Sequence, residues 1–264
     1  MDVVGGPENP QDLAALLESH PRITKRDGFV CFRGQEELIE RSRPRVIVNG
    51  STNGNAAAIA LQFTNQLLRA CPLVDCVALS GSAASGGYIP SDDVDLDIFV
   101  RDGAKYLTYA IALALGFLVS IRLRKGGRLR KIICINVIWT RGQTKPFVRR
   151  DEALAFELLH CRPIFGAFYF RKVISSNPWI LGLFPQLEGR LNTDQASPEI
   201  SFVGRIVGWI GRHPHLLELS DRLGRSLSQV VYDLAHWRRR KDAGAMERLA
   251  FLRQVKFPYE FFQD

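Results

Sequence analysis

Leu79-Ser80-Gly81-Ser82, followed after a short loop by Ser91-Asp92-Asp93-Val94-Asp95-Leu96-Asp97-Ile98-Phe99-Val100, is the stretch on which the reading of this chain turns. A turn of small residues after a strand leaves backbone N–H groups room to face phosphate oxygens. The second segment alternates, with carboxylates at every second position and Val94, Leu96 and Ile98 between them. In a strand, i and i+2 point to one face. Asp93, Asp95 and Asp97 therefore share a face while the apolar residues turn to a core. Like charges on one strand repel, and a fold keeps them together mainly where a divalent cation sits between them.

The spacing limits which aspartates work as a pair. Residues i and i+2 lie ~6.5–7 Å apart along a strand. A cation with ligand bonds near ~2.1 Å spans that gap but not twice it. Either Asp93/Asp95 or Asp95/Asp97 fits. The loop length after Ser82 favours Asp93/Asp95, with Asp97 as an additional carboxylate deeper in the strand.

These residues carry a resemblance. Gly81-Ser82 with Asp93-Val94-Asp95 resembles the GS…DxD signature of the nucleotidyltransferase superfamily that includes DNA polymerase beta, CCA-adding enzymes and aminoglycoside nucleotidyltransferases. The resemblance implies an α+β fold with a mixed sheet, a GS turn holding a triphosphate, and an aspartate pair binding Mg²⁺ or Mn²⁺. In that superfamily a third aspartate usually lies on a further strand. The matching apolar run here, Lys131 to Trp139, offers only Asn136 as a polar residue. An amide supplies a carbonyl oxygen but no charge. Asn136 is thus expected to limit chemistry more than binding, so that a carboxylate there would raise the transfer rate; the alternative is a backbone-bonding structural residue. A wider set of residues is similar to a group of uncharacterised prokaryotic nucleotidyltransferase-domain proteins: Asp27-Gly28-Phe29, Phe32-Arg33-Gly34, Cys134-Ile135-Asn136, Ala155-Phe156-Glu157-Leu158, Pro163 and Asn177-Pro178-Trp179. That group implies a metal–nucleotide site but no acceptor.

The expected activity is transfer of a nucleoside monophosphate from an NTP to the hydroxyl of a small molecule, RNA or protein. Gly81 and Ser82 would hold the phosphates. Lys105, at the start of a crossover helix, would neutralise the pyrophosphate or else face solvent. Glu157 and His160, one helical turn apart, would reach the acceptor pocket or, as the commoner case, form a surface pair. Two other readings stand beside this one: a nucleotide-binding module of the same fold without turnover, and a nucleic-acid-binding protein using its N-terminal unit.

Composition agrees. The 264 residues carry a formal net charge of +8, and 46% are hydrophobic. That suits a chain with a real core and an anionic partner. Five cysteines without CxxC spacing read as reduced, buried thiols rather than a zinc site. The N-terminal residues lack the layout of a signal peptide, and the expected location is cytoplasmic, away from membranes. The apolar run Tyr106 to Ile121 is short for a membrane span and lies between two predicted strands, so it reads as a buried crossover helix.

Three regions are expected. Residues 1–45 form a winged-helix-like unit: a helix over 12–19, a hairpin turning at Arg26-Asp27-Gly28, and a helix over 35–41. Their reading as a packing extension of the catalytic domain stands ahead of DNA recognition. Residues 46–145 form the catalytic domain, opening with an apolar Val46-Ile47-Val48 segment and a helix over 53–70 capped by Ser51 or Thr52. Residues 146–264 are helical, broken at Asn177-Pro178-Trp179. They include a helix over 226–241 with Leu227, Val230, Val231, Leu234 and Trp237 as its apolar stripe and Arg238-Arg239-Arg240-Lys241 at its end.

Overall fold

The computed structural model of the chain describes residues 10–123, 131–187 and 197–238. The N-terminal part holds α1 (Pro10–Ser19), the hairpin β1 (Ile23–Arg26) and β2 (Phe29–Phe32), and α2 (Glu37–Ala70). Then follow β3 (Val74–Leu79), the one-turn α3 (Gly81–Ala84), β4 (Val94–Val100), α4 (Lys105–Arg122), β5 (Ile133–Thr140) and the short α5 (Arg141–Thr144). The C-terminal part is α6 (Glu152–His160), β6 (Arg162–Phe165), α7 (Ala167–Ser175), α8 (Pro178–Leu183), α9 (Phe202–Ile210) and α10 (Pro214–Arg238).

Four strands make a mixed sheet in the order β5-β4-β3-β6. β4 is antiparallel to β3 and parallel to β5, and β6 closes the other edge antiparallel to β3. The period of two separates the faces. Val94, Leu96, Ile98 and Val100 of β4 join a core with Ala60, Phe63 and Leu67 of α2 and Tyr109 and Ala112 of α4. Phe99 points the other way, into a second core with Trp139, Phe147, Leu154, Leu158 and Phe170. The Phe99 and Trp139 ring centroids are 5.0 Å apart, and Phe170 meets Phe99 edge-on at 5.8 Å. Helices thus cover both faces of the sheet, giving the α+β class with a mixed sheet.

Three expectations change. Val46-Ile47-Val48 is not a separate segment, and Ser51 and Thr52 cap nothing. Both hydroxyls donate back to the Val48 carbonyl, each at 2.9 Å, inside one helix that runs from 37 to 70 through Pro44. No break marks residues 45 and 46. Val46 and Ile47 are exposed, while Arg45, Asn49 and Thr52, at spacing i, i+4, i+7, face the loop that follows Ser82. Secondly, β6 adds a strand to the region expected to be helical. Thirdly, α10 begins at Pro214, and its stripe Leu227, Val230, Val231 and Leu234 is exposed. The buried side of α10 is instead Leu217, Gly224 and Ser228. A Cβ on Gly224 would lie 2.6 Å from the Tyr106 carbonyl, so α10 sits directly on the α4 backbone. The basic residues 239–241 lie outside the described residues.

The hairpin is as expected. Asp27 and Gly28 both take positive φ (53° and 80°), the requirement of a two-residue turn that matches strand twist. Among the described residues one helix, Lys105–Arg122, is long and apolar enough to cross a membrane. It connects two parallel neighbours of a single sheet and buries Tyr106, Thr108, Tyr109, Ala112 and Val119, leaving Phe117, Leu118 and Ile121 exposed. Asn177, at the predicted helix break, is fully buried. Its side chain accepts from Phe147 N and donates to the Thr144 and Val173 carbonyls, all at 2.8 Å. The five cysteines are free.

Candidate functional site

The C-terminal end of β3 lies beside the N-terminal end of β4, with Leu79 opposite Leu96. This brings the Ser80-Gly81-Ser82 turn against the aspartates. Ser80 N donates to the Asp95 carbonyl at 3.0 Å. Gly81 takes φ +59°, and a Cβ there would lie 2.2 Å from Asp95 Oδ2 and 2.8 Å from its Cγ. The backbone of the turn is therefore seated on the Asp95 carboxylate at a distance only glycine allows.

The loop beyond the turn is fixed to α2. Ser82 Oγ donates to Asp92 Oδ2 at 2.9 Å, and Arg45 pairs with the same carboxylate. Asn49 Oδ1 accepts from Tyr88 N at 3.2 Å, and Thr52 Oγ1 donates to the Tyr88 carbonyl at 3.4 Å. Ser82, expected to offer its hydroxyl to phosphate, spends it on Asp92.

The carboxylates fall into two groups. Asp93, Asp95 and Cys134 bring ligand-type atoms within 4.8 Å of one another, all half-buried. Burial and then the Asp93 charge push the Asp95 carboxyl up to about 6. Burial pushes the Cys134 thiol up to about 12, so it stays protonated and hydrogen-bonds to Asp95. Lys131 Nζ lies 3.3 Å from Asp93 Oδ2.

Asp97 belongs to the second group, with Glu157 and Cys161. It is fully buried. Oδ1 accepts from Ser80 Oγ at 3.0 Å and Asn136 Nδ2 at 2.9 Å, and Oδ2 accepts from the Cys161 thiol at 3.1 Å. Burial raises both Asp97 and Glu157, and the charge of Glu157 raises Asp97 further. Asp97 and Glu157 thus sit close enough for each to disfavour ionisation of the other.

Asn136 joins them: its Nδ2 donates to Asp97 and also to Glu157 Oε1 at 2.8 Å. It reaches both because the pairing of β4 with β5 shifts register there. Leu96 pairs with Ile135, but Asp97 pairs with Val137. Asn136 is the extra residue of a bulge. The parity of β5 changes across it: Ile133 and Ile135 enter the first core, Val137 and Trp139 the second.

The structure therefore brings together Gly81, Asp93, Asp95, Asp97 and Asn136, and places Ser82 one hydrogen bond away on Asp92. It does not bring Lys105 to them. That residue opens α4 beyond the opposite end of β4, seven residues along the strand, a distance of about 20 Å at ~3.3 Å per residue. There its charge faces Asp221, which accepts from the N–H groups of Tyr106 (2.6 Å) and Leu107 (3.0 Å). Nor are Glu157 and His160 a surface pair. Glu157 turns inward to Asn136, whereas His160 bonds the Phe156 carbonyl at 3.0 Å and packs on its ring at 4.2 Å. Arg45, Asp92, Cys134 and Cys161 were not singled out for this site from sequence. For Glu157 the signal existed: Leu154, Glu157, Leu158 and Cys161 lie at helical spacing on the side of α6 that faces the sheet.

The donor set can be tested against a divalent cation. Asp93 and Asp95 supply hard carboxylate oxygens, and Asp95 is raised by burial and then by the Asp93 charge. The protonated Cys134 thiol is no ligand for a hard ion. Two carboxylates with open coordination otherwise suit Mg²⁺, which is commonly held by one or two carboxylates plus substrate phosphates.

No family model matches the sequence, and no curated protein matches it. A search of solved structures matches a crystal structure from Sulfolobus solfataricus provisionally described as a nucleotidyltransferase, at 12% identity and a TM-score of 0.27, over 45% of this chain and 86% of that one. A likeness of that size says nothing about the chemistry of either chain.

Proposed function

We propose that this chain binds a nucleoside triphosphate with Mg²⁺ or Mn²⁺ at the Gly81 turn and transfers its nucleoside monophosphate to an acceptor hydroxyl. The observation that carries the reading is the seating of the Gly81 backbone on Asp95, next to Asp93, with no room for a side chain between turn and carboxylate. Asp93 and Asp95 are the residues that would hold the metal, which when bound neutralises triphosphate charge. Backbone N–H groups of the turn orient the phosphates.

On the acceptor side this reading keeps Glu157 from the sequence expectation and drops His160 and a ligand role for Asn136. Asn136 is a donor to two carboxylates and has no charge to give. Glu157, half-buried with a raised pKa and hydrogen-bonded to Asn136, is the carboxyl that would take a proton from an attacking hydroxyl. Asn136 and Asp97 hold it in place.

Calorimetric titration with each of the four NTPs, with and without Mg²⁺, tests the binding step. We expect metal-dependent affinity that Asp93→Asn and Asp95→Asn both abolish. Transfer is then sought with α-labelled NTP against pools of RNA, protein and small metabolites. Absence of metal-dependent NTP binding in the wild type, or unchanged affinity in both variants, refutes the site. Binding without any transfer supports the alternative, a nucleotide-binding module.

A further inference from the structure

A basic cavity lies at the far end of the sheet. It measures about 530 Å³ and is lined by Pro72, Leu73, Arg101, Arg205, Trp209 and Arg212 among others, none of them acidic. That volume is in the range of small-ligand sites. We infer that this cleft binds a nucleotide unit, its base on the Trp209 ring and its phosphate among Arg101, Arg205 and Arg212.

The sequence builds the cleft from two sources. Leu73 precedes β3 and Arg101 follows β4, and the two strands end side by side with Val74 opposite Val100. Arg101 N donates to the Leu73 carbonyl at 3.0 Å, which fixes the arginine at the rim. The other wall is α9 and the turn after it. Here small residues permit close approach: a Cβ on Gly204 would lie 2.1 Å from the Arg69 carbonyl, and one on Gly211 would lie 2.5 Å from Leu73 Cδ2. With α9 pressed this close to Pro72 and Leu73, the residues at i, i+4 and i+7 beside the contact, Arg205, Trp209 and Arg212, line the cleft together.

Three features point to a nucleotide rather than to a solvated charge patch. Among the described residues none of the three arginines has a carboxylate at ion-pair distance. Guanidinium groups left free in this way match phosphate oxygens in geometry and charge. Trp209 is 52% exposed, as a stacking platform requires. His213 packs against it with the rings tilted at 46° and centroids 4.6 Å apart, and bonds the Trp209 carbonyl at 2.9 Å. Basic side chains interleaved with an exposed aromatic bind unpaired bases and their backbone without sequence preference. The cleft and the acidic site are separated by the length of β4, so the inference does not depend on the proposed activity.

The test uses the full chain in EDTA, which silences metal-dependent binding at the acidic site. Fluorescein-labelled twelve-residue oligouridylate is titrated by anisotropy from 50 to 300 mM salt. We expect affinity to fall with salt at a log–log slope of about −1.4 to −2.1, the value for two or three phosphate contacts on a single strand. Arg205→Gln with Arg212→Gln should reduce that slope by about 1.4. Trp209→Leu should weaken binding about 5- to 100-fold with the slope unchanged. Both sets of positions are at the surface, and circular dichroism checks their folding. Unlabelled UMP as competitor distinguishes the source: competition at similar affinity identifies a mononucleotide site, and failure to compete identifies a strand site. Absence of binding at 50 mM salt overturns the inference, as does binding untouched by the arginine pair. A neutral Trp209→Leu would show a bare polyanion patch and also overturn it. Loss of oligouridylate binding in Asp95→Asn would assign the ligand to the acidic site instead.

Discussion

Asp95→Asn tests the physical reasoning at the candidate site without any assumption about a substrate. In the folded chain the Asp95 carboxyl is raised from 3.8 to about 6, chiefly by burial and then by Asp93. The folded state therefore binds this proton more tightly than the unfolded state does. Stability is full at low pH, falls as pH rises from about 4 to about 6, and stays lowered above that. At ~1.4 kcal/mol per tenfold change in proton affinity, the loss above pH 6.5 is about 3 kcal/mol. Partial exposure of Asp95 makes this an upper bound. An asparagine keeps the shape and removes the charge. The metal-free variant should thus be more stable than the wild type at pH 8, by up to about 3 kcal/mol or roughly 6–12 °C in Tm for a chain of this size, and equal to it at pH 4. Urea denaturation of both proteins in EDTA from pH 4 to 8.5 gives the difference directly. A difference that does not change with pH, or a variant less stable at pH 8, refutes the account of Asp95 as a charge held at a cost. Adding Mg²⁺ and NTP should close the gap in the wild type alone, since ligand that binds only the folded state stabilises it.

Two further substitutions bear on the same geometry. Gly81→Ala puts a methyl 2.2 Å from Asp95 Oδ2 at a φ of +59°; it should cost ~2 kcal/mol or more and remove metal-dependent NTP binding, and a variant with wild-type Tm and affinity would show that turn and carboxylate are not in contact. Asn136→Asp should not raise transfer, contrary to the expectation from sequence. It replaces the donor shared by Asp97 and Glu157 with a third carboxyl, so the loss should grow with pH, to about 2–4 kcal/mol at pH 8. Denaturation midpoints at pH 5 and pH 8 measure it, and a variant as stable as wild type at pH 8 would mean that the amide does not bridge the two acids.

Much of the sheet and its turn could be read from sequence because their signals are local. Alternation along Val94 to Val100 assigns faces without reference to any other strand, and Asp27-Gly28 demands its own turn. The long helix α2 was misread because its evidence is not local. Val46-Ile47-Val48 has the β-branched composition of a strand, and Ser51 or Thr52 reads as the cap of a new helix. What keeps the helix continuous lies elsewhere in the chain: Arg45, Asn49 and Thr52 grip Asp92 and Tyr88, forty residues on. The exposed stripe of α10 shows the converse failure. Helical spacing of Leu227, Val230 and Leu234 was correctly found, yet the side that packs on α4 is selected by Gly224, whose value is the absence of a side chain.

The acidic site was legible in its residues but not in its grouping. Strand periodicity puts Asp93, Asp95 and Asp97 on one face and stops there. It cannot see that Asp97, two residues deeper, leaves water completely, nor that a buried carboxylate must then find donors. The donors come from three separate elements: Ser80 at the end of β3, Asn136 at the bulge of β5, and Cys161 after α6. From sequence alone Asn136 looks like the loss of a third acid. Next to Asp97 and Glu157 it is the residue that allows two acids to remain. A bulge at that position is what the arrangement requires. Were Asn136 to take part in regular alternation, Val137 and Trp139 would turn to the face of Ile133 and Ile135 and leave the second core. With the bulge, the polar site and the aromatic core share one face of β5, and Glu157 reaches that face from α6, a helix whose own sequence pattern points it at the sheet.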